Sequence, residues 1–430
     1  MKHIKEMEKQ QRPVRIIQFG GGVFLRGFFD WMVQRSNNAG VYNGNVMIVR
    51  SKTRGTDPLA AQNFNYTMVL RDGSHEEKCL VDCIAGSVAA EEAYEDFLAL
   101  ADNPNVEVIV SNTTEAGLVY EYSHRPTDQC PKSYPAKLTA LLYRRYQKSG
   151  NGLLILPLEL IENNGTVLRD TVLRHAGDWG LEQGFTDWVT EQCSFRNTLV
   201  DRIVSGTVPA GSVELPYMDE MINTGEYFHL FVVDGKEDAR LPFAAAGINI
   251  KWVESVAPYR TIKVRILNGA HTSMIPYALL LGVETVRECL ENDTVRAHLE
   301  ACLEEIITSM SVDEDEARQY AAQVLERFAN PFIHHRCAAI ALHSADKFVV
   351  RVLPSILEYR QKVGKNPEHL LFSLAMLVLY LQKYGDGDTL SPVALQGRTV
   401  ADILSDTTLW GRSLAEFAGE VTAYADTFGR

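Results

Sequence analysis

The residues best suited to chemistry in this sequence stand together in the stretch Lys263-Val-Arg-Ile-Leu-Asn268-Gly-Ala-His271. It places an amine, a carboxamide and an imidazole in a segment that is otherwise mostly apolar. In an α-helix with about 100° per residue, Asn268 lies roughly 140° and His271 roughly 80° from Lys263, so the three share one broad face. An ammonium group beside a neutral amide can give a proton to a developing alkoxide and stabilise its charge without a metal.

The same spacing also fits a helix whose polar residues are solvated and whose histidine is an ordinary core residue. Pro258 suits the beginning of a helix, and Pro276 predicts a kink or an end. A buried lysine is costly unless it is paired or functional, whereas Arg265 is long enough to reach solvent. Spacing alone leaves these two interpretations balanced, and the rest of the chain must decide between them.

Composition limits the function classes. The chain has 430 residues, of which 46% are hydrophobic and 23% charged, which is typical of a globular protein with two or three domains. Its net charge of −13 argues against a general nucleic-acid-binding function. The charged N-terminus lacks a signal-peptide core, and no apolar run is long enough to span a membrane. Seven scattered cysteines favour reduced thiols in the cytoplasm, and no second cysteine pair accompanies Cys79 and Cys83 to form a zinc site, so no metal is expected.

The first half of the chain alternates strand and helix signals. The predicted strands are Val14–Phe19, Val46–Val49, Val106–Val110 and Leu153–Pro157, separated by amphipathic stretches. This alternation predicts an α/β domain of the Rossmann type, a parallel sheet with helices on both faces. Two segments around a polar turn, Tyr66–Leu70 and Cys79–Val81, predict a hairpin attached to that sheet.

After about residue 255 the helical periodicity dominates and strand signals nearly vanish. The predicted helices are Arg260–Leu281, Thr285–Leu290, Val295–Met310, Asp313–Phe328, Ala338–Arg351 and His369–Lys383. We therefore predict a Rossmann-type dinucleotide-binding domain at 13–254 and a mostly α-helical substrate and catalytic domain at 255–430.

A glycine triplet follows the first predicted strand, and a helical pattern begins directly after it. This is the order that a dinucleotide pyrophosphate needs, because glycine lets the backbone approach the phosphates and the helix N-terminus favours negative charge. The third glycine of the fingerprint is replaced by Leu25, and a bare glycine triplet is also typical of an ordinary turn. The predicted cofactor contacts here are Phe19, Gly20, Gly21, Gly22, Val23 and Phe24.

The later strand ends are ambiguous. The strand Val46–Val49 ends in Arg50-Ser51-Lys52 rather than in the acidic residue that binds a ribose, which fits either an NADP phosphate or a solvated loop. The loop Ser111–Gly117, with Thr114 and Glu115, follows the next strand and is a candidate cofactor contact or an ordinary turn. Glu159 after the strand Leu153–Pro157 has the same two interpretations.

Three motifs together resemble the mannitol dehydrogenase family. The signature Lys-x4-Asn-x2-His matches at Lys263, Asn268 and His271, and the glycine turn matches as Gly20-x-Gly22-x-Phe24-x-Arg26. The loop Thr114-Glu115-x-Gly117 matches as well, and the resemblance runs from about residue 13 to beyond Arg351.

The resemblance implies a reversible NAD-dependent oxidoreductase, with NADP not excluded. It implies that Lys263 is the general acid/base, that Asn268 polarises the reacting oxygen and that His271 holds a substrate hydroxyl. Asp201 and Lys347 match other family positions near the substrate.

The substrate of this chain is expected to be a sugar acid. Glu159-Leu160 stands where polyol dehydrogenases have an Asp-Asn pair, and the uronate-reducing branch of the family looks similar to this chain at that point. Glu159 is also a candidate substrate contact. The implied reaction is reduction of D-tagaturonate to D-altronate in hexuronate breakdown, and the epimer D-fructuronate stays open. Candidate cations for the substrate carboxylate are Arg260, Lys347 and Arg351. An alternative function of a different class is a non-catalytic protein that senses dinucleotides. The sequence does not indicate the oligomeric state.

Overall fold

The structure of the protein is a computed structural model that describes residues 2–50, 57–73, 75–113, 115–126, 129–148, 150–387 and 390–428. The chain forms two compact units, Met1–Ala257 and Pro258–Arg430. Within the described ranges, no helix is both long enough and apolar enough to cross a membrane.

The first unit contains all of the described strands. They are β1 (Lys2–His3), β2 (Val14–Phe19), β3 (Asn45–Arg50), β4 (Tyr66–Asp72), β5 (His75–Val81), β6 (Ile84–Ala89), β7 (Val108–Ser111), β8 (Leu154–Pro157), β9 (Ser194–Phe195), β10 (Thr198–Asp201), β11 (Val204–Thr207), β12 (Tyr217–Met218), β13 (Asn223–Gly225), β14 (Leu230–Asp234) and β15 (Ile250–Val253). Its helices are α1 (Val23–Leu25), α2 (Trp31–Asn38), α3 (Pro58–Ala61), α4 (Tyr94–Ala99), α5 (Tyr134–Lys148), α6 (Asn164–Asp178) and α7 (Gln183–Glu191). A π-helical turn, Arg26–Asp30, joins α1 to α2.

The central sheet of this unit has six parallel strands in the order β6-β3-β2-β7-β8-β9. This is the strand order of a Rossmann fold, in which the connections change direction between β2 and β7. Ligands of such sheets bind outside the carboxyl ends of the strands at that point. The predicted fold class is confirmed, and the glycine turn after β2 lies beside this crevice.

Side chains along the central strands alternate between two hydrophobic cores, one on each face of the sheet. Ile16 packs in the core that contains Trp31 of α2, whereas Ile17 packs in the core that contains Leu138 of α5. All four side chains are buried, and full burial of an aliphatic side chain contributes about 2 kcal/mol. Helices therefore cover both faces of the sheet, as the sequence predicts.

The position of the predicted hairpin is wrong. Strands β4 and β5 do form an antiparallel pair, but they belong to a separate sheet of four strands in the order β11-β13-β4-β5. The reason is that Met68–Leu70 of β4 pairs with Asn223–Gly225 of β13, a partner more than a hundred residues later in the chain. Strand β14 pairs with β10 and β15 in a third sheet.

The second unit consists mostly of helices over its described residues. They are α8 (Ala257–Ile262), α9 (Gly269–Leu280), α10 (Val286–Glu291), α11 (Asp293–Ser309), α12 (Glu314–Phe328), α13 (Cys337–Ile340), α14 (Ser344–Arg351), α15 (Leu353–Val363), α16 (Glu368–Tyr384), α17 (Val400–Leu404), α18 (Thr407–Trp410) and α19 (Ala418–Phe428). A second π-helical turn, Lys263–Asn268, joins α8 to α9.

Helix α9 is the centre of the second unit. It is buried on all sides from Gly269 to Ala278, and α11, α13, α14 and α16 pack against it. Pro276 lies inside α9, which continues to Leu280, so the helix does not end at this proline. The predicted helix Ala338–Arg351 is divided into α13 and α14, because His343 adopts a left-handed conformation with φ of 57° between them.

Candidate functional site

The glycine turn after β2 is shaped by close backbone approach. Gly20 has a φ of 112°, and a Cβ atom there would lie 3.2 Å from the carbonyl oxygen of Asn112, which follows β7. The backbone N–H of Gly20 donates to the carbonyl oxygen of Val49 at the end of β3. The turn is thereby fixed to both neighbouring strands, and a residue with a side chain at position 20 would be strained.

Gly22 is the N-cap residue of α1, with an ordinary φ of −68°. No atom lies within 4 Å of the position that a Cβ would occupy, and no side chain caps the helix here. Since α1, the π-helical turn and α2 form one continuous helical segment from Val23 to Asn38, its N-terminal N–H groups and dipole favour an anion at the glycine turn. The turn therefore fits a pyrophosphate.

A cavity of about 340 Å³ lies at the carboxyl ends of β3, β2 and β7. It is lined by Phe19, Gly20, Val49, Arg50, Asn112, Thr113, Gly117, Val119, Glu121, Lys132, Ser133, Tyr134 and Lys137. We call this space the cofactor pocket.

The cofactor pocket brings together only some of the predicted cofactor contacts. Phe19, Gly20 and Arg50 line it, whereas the other members of the glycine turn and helix start do not, namely Gly21, Gly22, Val23 and Phe24. Thr114, like Ser51 and Lys52, lies outside the described residues, and the side chain of Glu115 is not described.

Four residues of α5 and the loop before it line the cofactor pocket without having been predicted, namely Lys132, Ser133, Tyr134 and Lys137. Lys137 is buried, and its Nζ donates to Glu91 Oε1 at 2.9 Å and to the carbonyl oxygen of Lys132 at 2.8 Å. Tyr134 packs against Phe19 with ring centroids 4.7 Å apart, and burial raises the pKa of its phenol well above the usual value. The sequence signal for this side of the pocket is Lys137, a lysine inside an otherwise mostly apolar helical stretch.

Arg50 stands at the end of β3, where many dinucleotide-binding folds have an acidic residue for the ribose. Its Nε lies 3.5 Å from Asp57 Oδ2, and Asp57 also accepts a hydrogen bond from Ser87 Oγ at 2.8 Å. The charge of Asp57 offsets that of Arg50. The negative charge of Asp57 would also repel a 2′-phosphate on the ribose, and this repulsion favours NAD over NADP.

Glu159 holds the loop that follows β7. It is buried, its Oε1 accepts from the backbone N–H and the hydroxyl of Thr113, each at 2.9 Å, and its Oε2 accepts from Ser111 Oγ at 3.1 Å. Burial raises the pKa of this carboxyl. These contacts give Glu159 a positioning function at the edge of the cofactor pocket, and its predicted contact with the substrate stays a prediction.

Lys263, Asn268 and His271 lie on the helical segment that runs from α8 through the second π-helical turn into α9. Lys263 and His271 are buried, with 9% and 5% of their surface exposed, and Asn268 is half-buried. The interpretation of a solvated residue is therefore wrong for Lys263, and the burial of His271 agrees with either interpretation of the histidine.

The helix type also changes the angles around the axis. A π-helical turn is closed by i→i+5 hydrogen bonds, so residues five apart return to nearly the same face. Lys263 and Asn268 are thus better aligned than the α-helical estimate of roughly 140° suggests. Such turns are rare and are found frequently at functional sites.

Arg265 does not reach solvent, contrary to expectation. It is 6% exposed, its Nε donates to Ser355 Oγ at 2.7 Å and its Nη2 donates to Ser309 Oγ at 3.1 Å. The guanidinium also forms a bidentate ion pair with Glu358, in which Nη1 donates to Oε1 at 3.2 Å and Nη2 donates to Oε2 at 2.9 Å. Arg265 therefore anchors the π-helical turn to α11 and α15.

His271 is held by aromatic contacts. Its ring stacks on Phe328 with centroids 4.1 Å apart and meets the edge of His335 at 5.3 Å. Burial, followed by electrostatic interactions with His335, Arg351, Arg327 and Lys347, lowers the pKa of His271 well below its usual value. The imidazole is consequently neutral at physiological pH and can exchange hydrogen bonds with a hydroxyl.

The remaining predicted residues divide between the two units. Asp201 is buried at the end of β10 in the first unit, whereas Lys347 lies on α14 in the second unit, where its Nζ donates to the carbonyl oxygen of Ile340 at 2.9 Å. Arg260 is half-buried on α8. Among the described residues, no cluster of three or more His, Cys, Asp or Glu side chains is arranged to bind a metal ion.

Comparison with known proteins gives the family context. The family model of the mannitol dehydrogenase Rossmann domain matches residues 14–243, and that of the mannitol dehydrogenase C-terminal domain matches residues 255–426. The altronate oxidoreductase of Bacillus subtilis is 42% identical over 406 residues, which cover 90% of this chain and 83% of that protein. The altronate oxidoreductase of Yersinia enterocolitica is 38% identical over 402 residues, with the same two coverages.

Solved structures share the fold at low identity. The mannitol 2-dehydrogenase of Pseudomonas fluorescens, solved as a ternary complex with NAD and D-mannitol, has a TM-score of 0.76 and 19% identity, covering 97% of this chain and 92% of that one. A D-sorbitol dehydrogenase in substrate-free form has a TM-score of 0.78 and 19% identity, covering 97% and 94%.

Proposed function

Because the chain belongs to the mannitol dehydrogenase family, we propose that it is an NAD-dependent oxidoreductase that reduces D-tagaturonate to D-altronate and catalyses the reverse reaction. The altronate oxidoreductases that match most of its length support this substrate. The observation that carries the chemistry is the buried Lys263, placed with Asn268 on a π-helical turn and followed by a neutral, buried His271.

Each of these residues has a defined task in the reduction. NADH supplies the hydride that bonds to the ketone carbon. Lys263 gives a proton from its Nζ to the ketone oxygen, and the side-chain amide of Asn268 donates a hydrogen bond to the same oxygen as charge develops on it. His271 holds a substrate hydroxyl, and Asp201 and Lys347 are further proposed contacts near the substrate. In the oxidation direction the neutral amine of Lys263 accepts the hydroxyl proton.

The cofactor is assigned to the domain at 13–254 and the substrate to the domain at 255–430. The glycine turn receives the pyrophosphate at Gly22, with Gly21, Val23, Phe24, Thr114 and Glu115 as further proposed contacts. Glu159 keeps Ser111 and Thr113 in place at the pocket edge. The Arg50–Asp57 pair favours NAD. The seven cysteines are free, which agrees with a cytoplasmic setting for the reaction.

A continuous assay of NADH oxidation with D-tagaturonate, D-fructuronate and D-fructose, side by side, tests this proposal. We expect D-tagaturonate to have the highest kcat/KM. A preference for D-fructuronate would indicate that the chain catalyses the epimeric reaction, and a preference for D-fructose would indicate a polyol dehydrogenase. Binding of NADH without turnover of any of the three would support a dinucleotide sensor instead.

A further inference from the structure

Arg26, the first residue of the π-helical turn after α1, is a buried cation without an ion-pair partner among the described residues. The residue is 4% exposed, and its Nε and Nη1 are buried without a hydrogen-bond partner. Its Nη2 donates to Thr207 Oγ1 at 3.3 Å, and its Cζ lies 5.6 Å from the centroid of the Tyr66 ring. Two of the three guanidinium nitrogens are therefore unused within the protein.

The acidic residue at the other end of the same turn, Asp30, does not neutralise this charge by contact. Its Oδ2 accepts a hydrogen bond from Gln18 Nε2 at 3.3 Å, and it attracts Arg26 electrostatically without forming an ion pair. A buried charge is costly unless it is paired and hydrogen-bonded, because its surroundings screen it less than water does. A buried guanidinium with unused N–H donors therefore indicates that an anionic ligand completes its surroundings.

The guanidinium of Arg26 lies beside the first turn of the helical segment that follows the glycine turn. Thr207 of β11, which accepts from Nη2, is the cross-strand partner of Asn223 on β13. Asn223 in turn donates from Nδ2 to the carbonyl oxygen of Val23, the first residue of α1, at 2.8 Å. Long side chains of a helix also point back towards its N-terminus, which is the direction from Arg26 to Gly22. The charge of Arg26 therefore adds to the positive end of the helix dipole at the glycine turn.

We propose that Arg26 is the counter-charge for the pyrophosphate that the glycine turn receives. This inference rests on the proposed function, because it assumes that the ligand is a dinucleotide. Gly22 and Val23 are exposed, so a ligand reaches the first turn from solvent, whereas the buried Arg26 acts from the protein side. The helix N-terminus supplies N–H donors, and Arg26 supplies a full positive charge that the protein screens only weakly.

A purely structural function of Arg26 would have the opposite effect on stability. Removing a buried charge that the protein itself satisfies is destabilising, whereas replacing a costly buried charge by a well-packed apolar side chain is neutral or stabilising. In our proposal the cost of burying Arg26 is offset when the cofactor binds. Loss of the charge should therefore weaken the complex with NADH without weakening the free protein.

Fluorescence titration with NADH tests the effect on binding. Arg26→Gln replaces the cation by a neutral polar group and should raise the Kd for NADH at least about 10-fold, the loss expected for a charge-assisted interaction. Arg26→Lys keeps the charge and should bind NADH at least about threefold more tightly than Arg26→Gln. Arg169→Gln, at an exposed arginine on α6 of the same unit that pairs with Asp170, is the matched control and should behave as the wild type. A Kd for Arg26→Gln that equals the wild-type value would overturn the inference.

Urea unfolding is the second measurement. Arg26→Met replaces the guanidinium by an apolar side chain, and the free variant should unfold at the same urea concentration as the wild type or at a higher one. The same concentration of NADH should stabilise this variant less than it stabilises the wild type. A free variant that unfolds at a lower urea concentration, or that does not fold, would contradict the inference, because the protein itself would then satisfy the charge. A failure of the proposed function is distinct from these results, since the wild type itself would not oxidise NADH with D-tagaturonate.

Discussion

Gly22→Asp should separate cofactor binding from folding. The residue is the N-cap of α1, its φ of −68° is ordinary, and no atom lies within 4 Å of the Cβ position. Asp is a good N-cap residue and its charge favours the helix dipole, so the free protein should be as stable as the wild type or more stable, by a few tenths of a kcal/mol.

The effect on the cofactor has the opposite sign. A carboxylate about 4 Å from one pyrophosphate charge costs roughly 1 kcal/mol in a medium like water and about 4 kcal/mol at an effective dielectric constant of 20. This range corresponds to a 5- to 1,000-fold weaker Kd for NADH, and we expect about 100-fold for a half-exposed turn.

Fluorescence titration with NADH and thermal unfolding measure the two effects. Gly22→Ala adds the Cβ without charge and should bind NADH within a few-fold of wild type. Gly419→Asp, at another open helical glycine in the second unit, controls for the added negative charge. A Gly22→Asp variant that is folded and binds NADH as tightly as the wild type would refute the placement of the pyrophosphate.

Three further predictions concern the acid/base, the cofactor and the core. Lys263→Ala should lower kcat by at least 100-fold and leave the Kd for NADH unchanged; a near-wild-type rate would remove its assigned function. The wild type should prefer NADH, and Asp57→Asn should lower the KM for NADPH several-fold; a wild type that prefers NADPH would contradict our interpretation of the Arg50–Asp57 pair. Burial raises the pKa of Asp30 from 3.8 to about 7. The folded state therefore favours the neutral carboxyl, and the resulting stabilisation is fully present below about pH 4 and is lost as the pH rises through 7. Asp30→Asn should therefore gain stability over wild type by about 1 kcal/mol per pH unit between pH 5 and 7 in urea unfolding, and a pH-independent difference would argue against this titration.

The sequence predicts those parts of the fold that depend on local patterns. β2, β3, β7 and β8 are short, mostly apolar and largely buried, and each is predicted within two residues of its bounds. β6 is missed because Gly86 and Ser87 interrupt its apolar pattern, and β9 because it has only two residues. The sheet that contains β4 and β5 depends on pairing with β13, which no local pattern encodes.

In the candidate site, too, the sequence predicts local features but not contacts between distant residues. The spacing of Lys263, Asn268 and His271 predicts a helix, but hydrophobic periodicity does not distinguish an α-helical from a π-helical turn. Arg265 is buried because Ser355 and Glu358, far along the chain, satisfy its guanidinium, and a single sequence carries no signal for such a contact.

The most direct test of the account is the fate of the hydride. The protein is incubated with D-tagaturonate and NADH carrying deuterium at both C4 positions of the nicotinamide, and the product is analysed by mass spectrometry and NMR. We expect the wild type to form D-altronate with one deuterium on the new carbinol carbon, and Lys263→Ala to form it at least 100-fold more slowly. No deuterated product from the wild type, or equal formation by both proteins, would contradict it.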